Sequence, residues 1–490
     1  MTPRLSKSRF VAGWQCPKLL WWRAHEPDAP ELVPDIVVQD RFDQGVMVGR
    51  LAQAEFPGGV LIDLPYNAYD ERVEATRTAI RQGASSIYEA TFMEKGVYVA
   101  VDVLARDGDG WIVIEVKSSS EQKDEHIPDA AIQAWVVAAA GLTVHRVEIM
   151  HLSKDYRHRQ TGSLFERADV TREVIGFLPQ VAGMVTEFQE VLAGPLPTVA
   201  IGEQCGRPRD CPFLKRCWPA DRDHIKHLSG VGFKKAHSYM QTGVHRIGDI
   251  PPSQELNDTQ RRQVRALVAD TMVVEPGLAA ALTPVLVDRL GFLDFEAINR
   301  AVPVWDGQKP WEQTPAQFSY HERQPDGSYA HHEYLAEGPD DPREEITQLL
   351  LEATANADRV VVYSPYEKGR INALAGLLPR HAADLTALAD KLLDVLPIVR
   401  NHVYHPEFRG SFSIKDILNP LCPDLSYDDL VIVDGMRASV EIARLLFFEH
   451  LVENRDGTRR NLLEYCKRDT WATVRLLQRL GEMVGKENVA

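Results

Sequence analysis

Residues 88–120 read YEATFMEKGVYVAVDVLARDGDGWIVIEVKSSS, and this stretch determines the fold predicted for the first half of the chain. It contains three β-rich runs separated by a Glu-Lys-Gly turn and an Asp-Gly-Asp-Gly turn. Residues 127–142 follow with a helical pattern that Pro128 starts and Gly141 ends, and residues 144–152 form another strand-like run. The sequence therefore predicts a compact unit with the element order β-β-β-α-β.

Two carboxylates and a lysine lie on neighbouring strands of this predicted unit. Asp102 interrupts an otherwise apolar run, and a buried carboxylate is costly unless it is paired or binds a metal. Glu115 and Lys117 are two residues apart and therefore share one face of the next strand. Two carboxylates that meet across a hairpin can bind a divalent cation, and a lysine beside them can orient or deprotonate the attacking water. Glu89 is a further candidate ligand, and an edge strand with solvated charges is the alternative interpretation.

This segment resembles the PD-(D/E)XK nuclease fold, in particular the RecB-like branch of helicase-associated and CRISPR-associated exonucleases. The resemblance implies that Asp102 and Glu115 bind Mg²⁺ or Mn²⁺. It also implies that Lys117 assists the attack of water and that Gln133, on the following helix, contributes to the active site. The histidine ligand that many members carry upstream is absent, because QGVMVGRLA, residues 44–52, contains none.

Three of the six cysteines lie within thirteen residues, and a fourth lies near the start of the chain. Four thiolates can hold Zn²⁺ or an iron–sulfur cluster. The segment CGRPRDCPFLKRC is rich in charge, Gly and Pro, which is untypical of a core, although buried free cysteines are the alternative. The arrangement resembles the four-cysteine iron–sulfur motif of RecB-like nucleases. That resemblance implies a structural [4Fe–4S] cluster, with Zn²⁺ as the alternative, bound by Cys16, Cys205, Cys211 and Cys217.

The C-terminal part of the chain carries a second set of acidic residues. The strand-like run GFLDFEAI places Asp294 and Glu296 two apart, on one face of a strand. The segment YCKRD places Tyr465 and Asp469 four apart, on one face of a helix. Such carboxylates can form a two-metal site and such a tyrosine can position water, although D-x-E and Y-x-x-x-D also occur by chance.

In this order the two motifs resemble the DEDD exonucleases of the ribonuclease H-like fold, in their tyrosine variant. The resemblance implies a metal site with four carboxylate ligands: Asp294, Glu296, Glu367 and Asp469. Glu367 stands where that family usually has Asp, and Asp394 is a second candidate for this position. Tyr465 is the residue that the resemblance assigns to the attacking water.

The segment LSGVGFKKAHSYMQTGVHRIGDI, residues 228–250, resembles a degenerate helix–hairpin–helix. In such an element backbone N–H groups of a glycine-rich turn approach a phosphate, and nearby lysines neutralise its charge. The residues concerned are Gly230, Gly232, Lys234 and Lys235. The chain has a net charge of -15, but residues 201–250 contain nine Lys and Arg against five Asp and Glu. A local nucleic-acid-binding surface is therefore compatible with the acidic composition, and an ordinary helical linker is the alternative.

The length of 490 residues predicts a multi-domain protein, and the patterns predict the α/β class. We expect a RecB-like domain with the iron–sulfur cluster at residues 1–222, a helical connector at 223–283, and a ribonuclease H-like domain at 284–490. This organisation resembles a bacterial family that joins a RecB-like nuclease to a C-terminal domain of unknown function. No apolar run reaches the length of a membrane helix and no signal peptide is recognisable, so we expect a cytoplasmic protein without membrane partners.

These features predict a metal-dependent nuclease that hydrolyses phosphodiester bonds of DNA, at ends or in single strands, in repair or in defence against foreign DNA. DNA is the expected partner, and a helicase or a defence system is a further candidate. The absent histidine and the glutamate at position 367 leave open a nucleic-acid-binding scaffold with degenerate sites. An RNA exonuclease acting through the C-terminal domain is the third hypothesis.

Overall fold

The computed structural model describes residues 3–485 and divides the chain into two compact units. Within the described residues, unit 1 comprises the chain up to Trp218 together with Arg300–Glu312, and unit 2 comprises the remainder. Residues 223–283, the expected connector, belong to unit 2. Both units combine helices with a mixed sheet, which agrees with the predicted multi-domain α/β class.

Unit 1 is built on a seven-stranded mixed sheet. Its strands are β1 (Leu5–Ser6), β2 (Val60–Leu61), β3 (Ser86–Glu94), β4 (Val97–Asp107), β5 (Gly110–Lys117), β6 (Val144–Leu152) and β7 (Phe165–Asp169). Its α-helices are α1 (Lys7–Gln15), α2 (Pro17–His25), α3 (Ile36–Gln53), α4 (Tyr69–Arg81), α5 (His126–Ala139), α6 (Thr171–Ala193) and α7 (Leu214–Cys217). The run β3-β4-β5-α5-β6 has the predicted β-β-β-α-β order.

The strands of this sheet are ordered β2-β3-β4-β5-β6-β7, and β1 pairs in parallel with β4. Neighbours are antiparallel from β3 to β5, whereas β5 and β6 are parallel and enclose α5 in their connection. Apolar clusters lie on both faces of β5, because Trp111 and Val113 belong to one and Ile112 and Ile114 to the other. The cluster containing Trp111 also holds the buried side of α5, so the odd-numbered residues of β5 face that helix.

Unit 2 is built on a five-stranded mixed sheet ordered β11-β10-β9-β12-β13. The strands of unit 2 are β8 (Val273–Val274), β9 (Leu290–Ile298), β10 (Thr314–Arg323), β11 (Tyr329–Leu335), β12 (Arg359–Val362), β13 (Leu392–Asp394) and β14 (Val403–Tyr404). Its α-helices are α8 (Phe233–Gln241), α9 (Asp258–Ala269), α10 (Leu278–Ala281), α11 (Arg343–Thr354), α12 (Tyr366–Leu377), α13 (Ala382–Lys391), α14 (Leu396–His402), α15 (Ile414–Leu421), α16 (Gly435–Phe447) and α17 (Arg455–Glu482). Strands β8 and β14 form a separate antiparallel pair.

The central strand of the five-stranded sheet is β9, which carries the D-x-E motif. It pairs antiparallel with β10 and in parallel with β12, and all its residues except Asp294 are buried. The long helix α17, which carries the Y-x-x-x-D motif, packs against β9 and β10. Across residues 3–485 no helix combines the length and the apolar character needed to cross a bilayer.

Candidate metal centres

The first acidic cluster of unit 1 lies where the end of β5 meets α5. Glu115 and Lys117 continue the odd-numbered face of β5 towards α5, as their spacing predicts. Lys117 Nζ is 2.7 Å from Glu115 Oε1, and Gln133 Nε2 donates a hydrogen bond to Glu115 Oε2 at 2.7 Å. The predicted residues of β5 and α5 therefore contact one another directly.

Asp102 approaches this cluster from β4. Its Oδ2 accepts a hydrogen bond from the backbone N–H of Val116 at 2.7 Å, which ties it to the end of β5. Glu89 lies on β3, between the residue pairs Tyr88–Val103 and Ala90–Val101, and so faces Asp102 across the strands. Glu89 has a backbone φ of 56°, an unfavourable conformation for a glutamate, and its carboxylate is 3.7 Å from Arg72.

Two further residues in this cluster were not predicted from the sequence. Asp129, one helical turn before Gln133, places its Oδ2 2.5 Å from Lys117 Nζ. Lys7, the first residue of α1, places its Nζ 3.1 Å from both carboxylate oxygens of Glu115 and 3.8 Å from Asp102 Oδ1. The cluster thus contains two ammonium groups.

Burial and charge affect the two central carboxylates of this cluster in opposite ways. Burial, together with the nearby charge of Glu115, raises the pKa of Asp102 to about 7. Burial also disfavours ionisation of Glu115, but Lys117 and Lys7 outweigh it and hold the pKa of Glu115 well below its usual value. Burial and Glu115 raise the pKa of Asp129. Glu115 is therefore the permanent anion to which both lysines bind.

The second acidic cluster lies in unit 2, between β9 and α17. Ligand oxygens of Asp294, Glu296 and Asp469 lie within 4.8 Å of one another, a spacing suited to a metal ion. Burial raises the pKa of Asp294 and of Glu296 well above the usual value, and mutual repulsion with Asp469 adds to the effect. The structure therefore brings together the three acidic residues that the two motifs supplied.

Glu367, in the first turn of α12, is the fourth predicted ligand. Its side chain is buried, and its Oε2 has no hydrogen-bond partner among the described residues. Burial raises the pKa of Glu367 to about 7, and its charge raises the pKa of Asp294. Asp394 ends β13 and contributes repulsion to Glu367, so both candidates for the central acidic position lie near each other.

Tyr465 occupies the predicted position beside Asp469, one turn earlier on α17. Burial and the surrounding carboxylates raise the pKa of its hydroxyl group far above the usual value. Lys415 Nζ donates a hydrogen bond to Tyr465 Oη at 2.8 Å and another to the carbonyl oxygen of Val433 at 2.6 Å. Tyr427 donates a hydrogen bond to Asp469 Oδ1. The sequence had not indicated Lys415 or Tyr427, because neither belongs to a local motif.

The four cysteines lie near one another at one end of unit 1. Burial, together with the proximity of Cys16, Cys205 and Cys217, raises the pKa of Cys211 to about 11. Gln15 donates hydrogen bonds to the carbonyl oxygens of Gln204 and Arg209, which fastens the cysteine-rich segment to the end of α1. Among residues 3–485, however, no three cysteine sulfurs lie within 4.8 Å of one another.

The segment 228–250 contains a turn followed by α8. Gly230 has a φ of 72°, and Gly232 is the N-terminal capping residue of α8. Open space adjoins both glycines, and Lys234 and Lys235 are exposed in the first turn of the helix. The turn and the two lysines are thus accessible on the surface of unit 2.

Part of the chain that includes the second centre matches a known family model. Residues 291–413 match the family model of a domain of unknown function (DUF2779), a range that includes Asp294, Glu296 and Glu367. No curated protein matches the chain. The crystal structure of SSO0001 is similar over 44% of this chain and 85% of its own, with 11% sequence identity and a TM-score of 0.23. A TM-score this low does not indicate a shared fold.

Proposed function

We propose that this protein is a metal-dependent nuclease that hydrolyses phosphodiester bonds of DNA, at ends or in single strands. The observation that carries the proposal is the clustering of Asp294, Glu296 and Asp469, whose ligand oxygens lie within 4.8 Å of one another. Carboxylates this close in a buried site repel one another unless a cation binds between them. An all-oxygen donor set is the type that Mg²⁺ and Mn²⁺ prefer.

The groups around this cluster are suited to hydrolysis. A divalent cation, when bound, would activate water and stabilise charge on the phosphate. The hydroxyl of Tyr465 can position the attacking water, and Lys415 holds that hydroxyl at 2.8 Å while it supplies positive charge. The buried oxygen of Glu367 provides a further ligand. The D-x-E motif lies on β9, the first strand of this sheet in chain order, and the Y-x-x-x-D motif lies on α17. This arrangement supports a DEDD-type, ribonuclease H-like domain.

A second nuclease site is proposed in unit 1, of the RecB-like PD-(D/E)XK type. The β-β-β-α-β order supports it, as do the contacts of Glu115 with Lys117 and Gln133. Asp102 and Glu115 offer oxygen donors, and the buried Oε1 of Gln133 has no hydrogen-bond partner among the described residues. These donors fit Mg²⁺ or Mn²⁺, and Lys117 would hold water or phosphate beside them.

The four cysteines are proposed to bind a structural [4Fe–4S] cluster. Four thiolates bound to one Zn²⁺, each at about 2.3 Å, would lie closer together than these sulfurs do. The resemblance to the four-cysteine motif of RecB-like nucleases supports an iron–sulfur cluster instead. We expect purified protein to absorb broadly in the visible range and Cys211→Ser to lose this absorbance. A colourless protein with stoichiometric zinc would contradict the cluster type.

DNA is proposed to contact the turn and exposed lysines of residues 228–250. Gly230 and Gly232 are exposed, so a phosphate can approach their backbone, and Lys234 and Lys235 supply positive charge. Such contacts depend on ionic strength rather than on sequence. A helicase or a defence system as partner, and a role in repair or defence, remain predictions.

The nuclease proposal can be tested with purified full-length protein, Mn²⁺ or Mg²⁺, and labelled single-stranded DNA, double-stranded DNA and RNA. We expect metal-dependent degradation of DNA by the wild-type protein. Asp294→Ala should remove the activity of unit 2 and Lys117→Ala that of unit 1, so the double variant should be inactive. Asp288→Ala and Lys123→Ala alter exposed residues of the same types and serve as matched controls.

Three outcomes would contradict parts of the proposal. DNA digestion at the same rate by Asp294→Ala and by the double variant Asp294→Ala, Lys117→Ala would exclude the site of unit 1. Degradation confined to RNA and abolished by Asp294→Ala would indicate the RNA exonuclease. Binding of nucleic acid without any metal-dependent cleavage would indicate a scaffold.

A further inference from the structure

Lys7 occupies the space between the two carboxylates proposed to bind metal in unit 1. Its Nζ is equidistant from both oxygens of Glu115, at 3.1 Å, and lies 3.8 Å from Asp102 Oδ1. Lys117 differs in its contacts, because it joins Glu115 to Asp129. Of the two lysines of this cluster, Lys7 is thus the one that contacts both proposed ligands.

The fold holds Lys7 in this place. Strand β1 pairs in parallel with β4, with Leu5 opposite Val97 and Ser6 opposite Tyr98. Ser6 caps α1, and Lys7 is therefore the first residue of the helix, directly after a strand fixed to the one that carries Asp102. Helix α1 also packs against α5. The backbone of Lys7 is therefore positioned by the same elements that form the site.

An ammonium group and a divalent cation cannot both occupy this space. Mg²⁺ would bind carboxylate oxygens at about 2.0 to 2.1 Å, and a cation held by Asp102 and Glu115 would need the space that Lys7 Nζ occupies. Both cations are attracted by the same negative charge, so each excludes the other by charge as well as by volume. The side chain of Lys7 is 24% exposed, which leaves it a path towards solvent when it is displaced.

We infer that Lys7 is an internal competitor of the divalent cation in unit 1 and sets the metal concentration at which this site is loaded. The inference rests on the proposed metal site at Asp102 and Glu115. When metal is scarce, the positive charge of Lys7 offsets the repulsion between the carboxylates of Asp102 and Glu115. Metal enters by displacing Lys7. Lys7 acts through the metal ligands and is therefore a positioning residue rather than a catalytic one.

The test measures Mn²⁺ binding directly, by titration calorimetry and by the electron paramagnetic resonance signal of free Mn²⁺. Full-length protein is used with Asp294→Asn and Asp469→Asn, so that the cluster of unit 2 does not contribute. In this background Lys7→Met removes the charge and keeps the length of the side chain. We expect Lys7→Met to bind Mn²⁺ at least about tenfold more tightly than the background protein. Lys7→Gln, a second neutral variant, should show the same direction if Lys7→Met folds poorly.

Controls separate this inference from the proposed function. Lys123→Met removes an exposed lysine of the same unit and should leave Mn²⁺ affinity unchanged. Asp102→Asn should abolish Mn²⁺ binding. If Asp102→Asn abolishes binding but both neutral variants at position 7 bind Mn²⁺ no more tightly than the background protein, the competition is refuted and the site stands. If Asp102→Asn leaves binding unchanged, the metal site and the competition are refuted together.

Discussion

Asp129 contacts Lys117 through an oxygen 2.5 Å from Nζ, and it is the partner that fixes this ammonium beside Glu115. Replacing Asp129 by Asn keeps the shape of the side chain but removes its charge. We expect Asp129→Asn to lower the cleavage rate of the unit 1 site by about tenfold to a hundredfold, the range found for residues that orient a catalytic group. The measurement is single-turnover DNA cleavage in an Asp294→Ala background, with Asp124→Asn as an exposed control. An unchanged rate would show that Lys117 needs no such support.

Glu367 contributes to the pH dependence expected of the second centre. Its pKa is raised to about 7, so the folded protein holds this proton at a pH where an unfolded glutamate has lost it. Metal ligation requires the ionised form, and protons therefore compete with metal as the pH falls through 7. In a Lys117→Ala background we expect the half-saturating Mn²⁺ concentration for cleavage to rise from pH 8 to pH 6. Glu367→Gln should weaken binding at pH 8 and reduce this dependence on pH. An unaltered pH dependence in Glu367→Gln would assign the effect to another group.

At this scale the sequence identifies residues that belong to short motifs and misses those that do not. Asp294, Glu296, Tyr465 and Asp469 follow from spacing, because positions i and i+2 of a strand and i and i+4 of a helix share a face. Lys7 reaches Glu115 across more than a hundred residues of chain, and Lys415 reaches Tyr465 across fifty. No local pattern contains such a pair, since it is created only when β1 pairs with β4 or when α15 packs beside α17.

Strand β9 depends on Gly291, which lies three residues before its acidic motif. A Cβ atom on Gly291 would lie 2.2 Å from the hydroxyl oxygen of Tyr320, a buried residue of β10. Neither strand can move freely, because β9 is paired on both sides. We expect Gly291→Ala to lower the free energy of unfolding by about 1–3 kcal/mol and to reduce cleavage by unit 2, as β9 shifts Asp294.

Gly369 in α12 provides the matched control for this substitution. Its Cβ would enter open space, and alanine is the better helix former, so Gly369→Ala should leave stability equal or slightly higher. Urea unfolding of both variants, followed by intrinsic fluorescence, makes the comparison. Equal stability of Gly291→Ala and wild type would show that the two strands can separate at this point.

The bounds of helices and strands can be predicted from the sequence where local turn residues mark them. The run 144–152 forms β6 with the predicted bounds. The Asp-Gly pair at residues 326–327 predicts a hairpin turn, and β10 and β11 are joined there. Residues 285–298 read VLVDRLGFLDFEAI, a pattern that predicts a strand throughout, but β9 begins only at Leu290 because the preceding residues form a tight 3-10 turn and a bend. The helical pattern in the sequence starts at about Asn461, but helix α17 begins at Arg455, six residues earlier, where the side chain of Asn454 caps it. Local turns and a side-chain cap therefore set both boundaries.

The whole molecule does not divide at a single point along the chain. Residues 300–312 belong to unit 1, although the residues on either side belong to unit 2. In unit 1, Arg300 pairs with Asp40 at 2.8 Å, the N–H of Ala301 donates to Gln44, and Trp311 Nε1 donates to the carbonyl oxygen of Ser118. The domain boundaries expected from the sequence treat each domain as one continuous segment. Composition does not indicate that residues 300–312, between β9 and β10, belong to unit 1.

This arrangement predicts the behaviour of a fragment. Residues 1–218 alone lack the segment whose Ala301 is buried in a core cluster together with Val48 and Ile114. We expect the fragment to unfold at a lower urea concentration than unit 1 does in the full chain, by the equivalent of about 2–5 kcal/mol, the usual cost of losing buried side chains. A fragment as stable as unit 1 in the intact protein would show that residues 300–312 do not contribute to the stability of unit 1.

The insertion of residues 300–312 also affects how the protein is made. A ribosome that has finished residue 218 must still add roughly a hundred residues before Trp311 has been synthesised, which takes about 5 to 20 seconds. During that time the nascent chain exposes the apolar surface that Ala301 later covers. Newly synthesised chains are therefore expected to need a chaperone at this stage, and slow translation of the intervening codons should increase aggregation rather than reduce it.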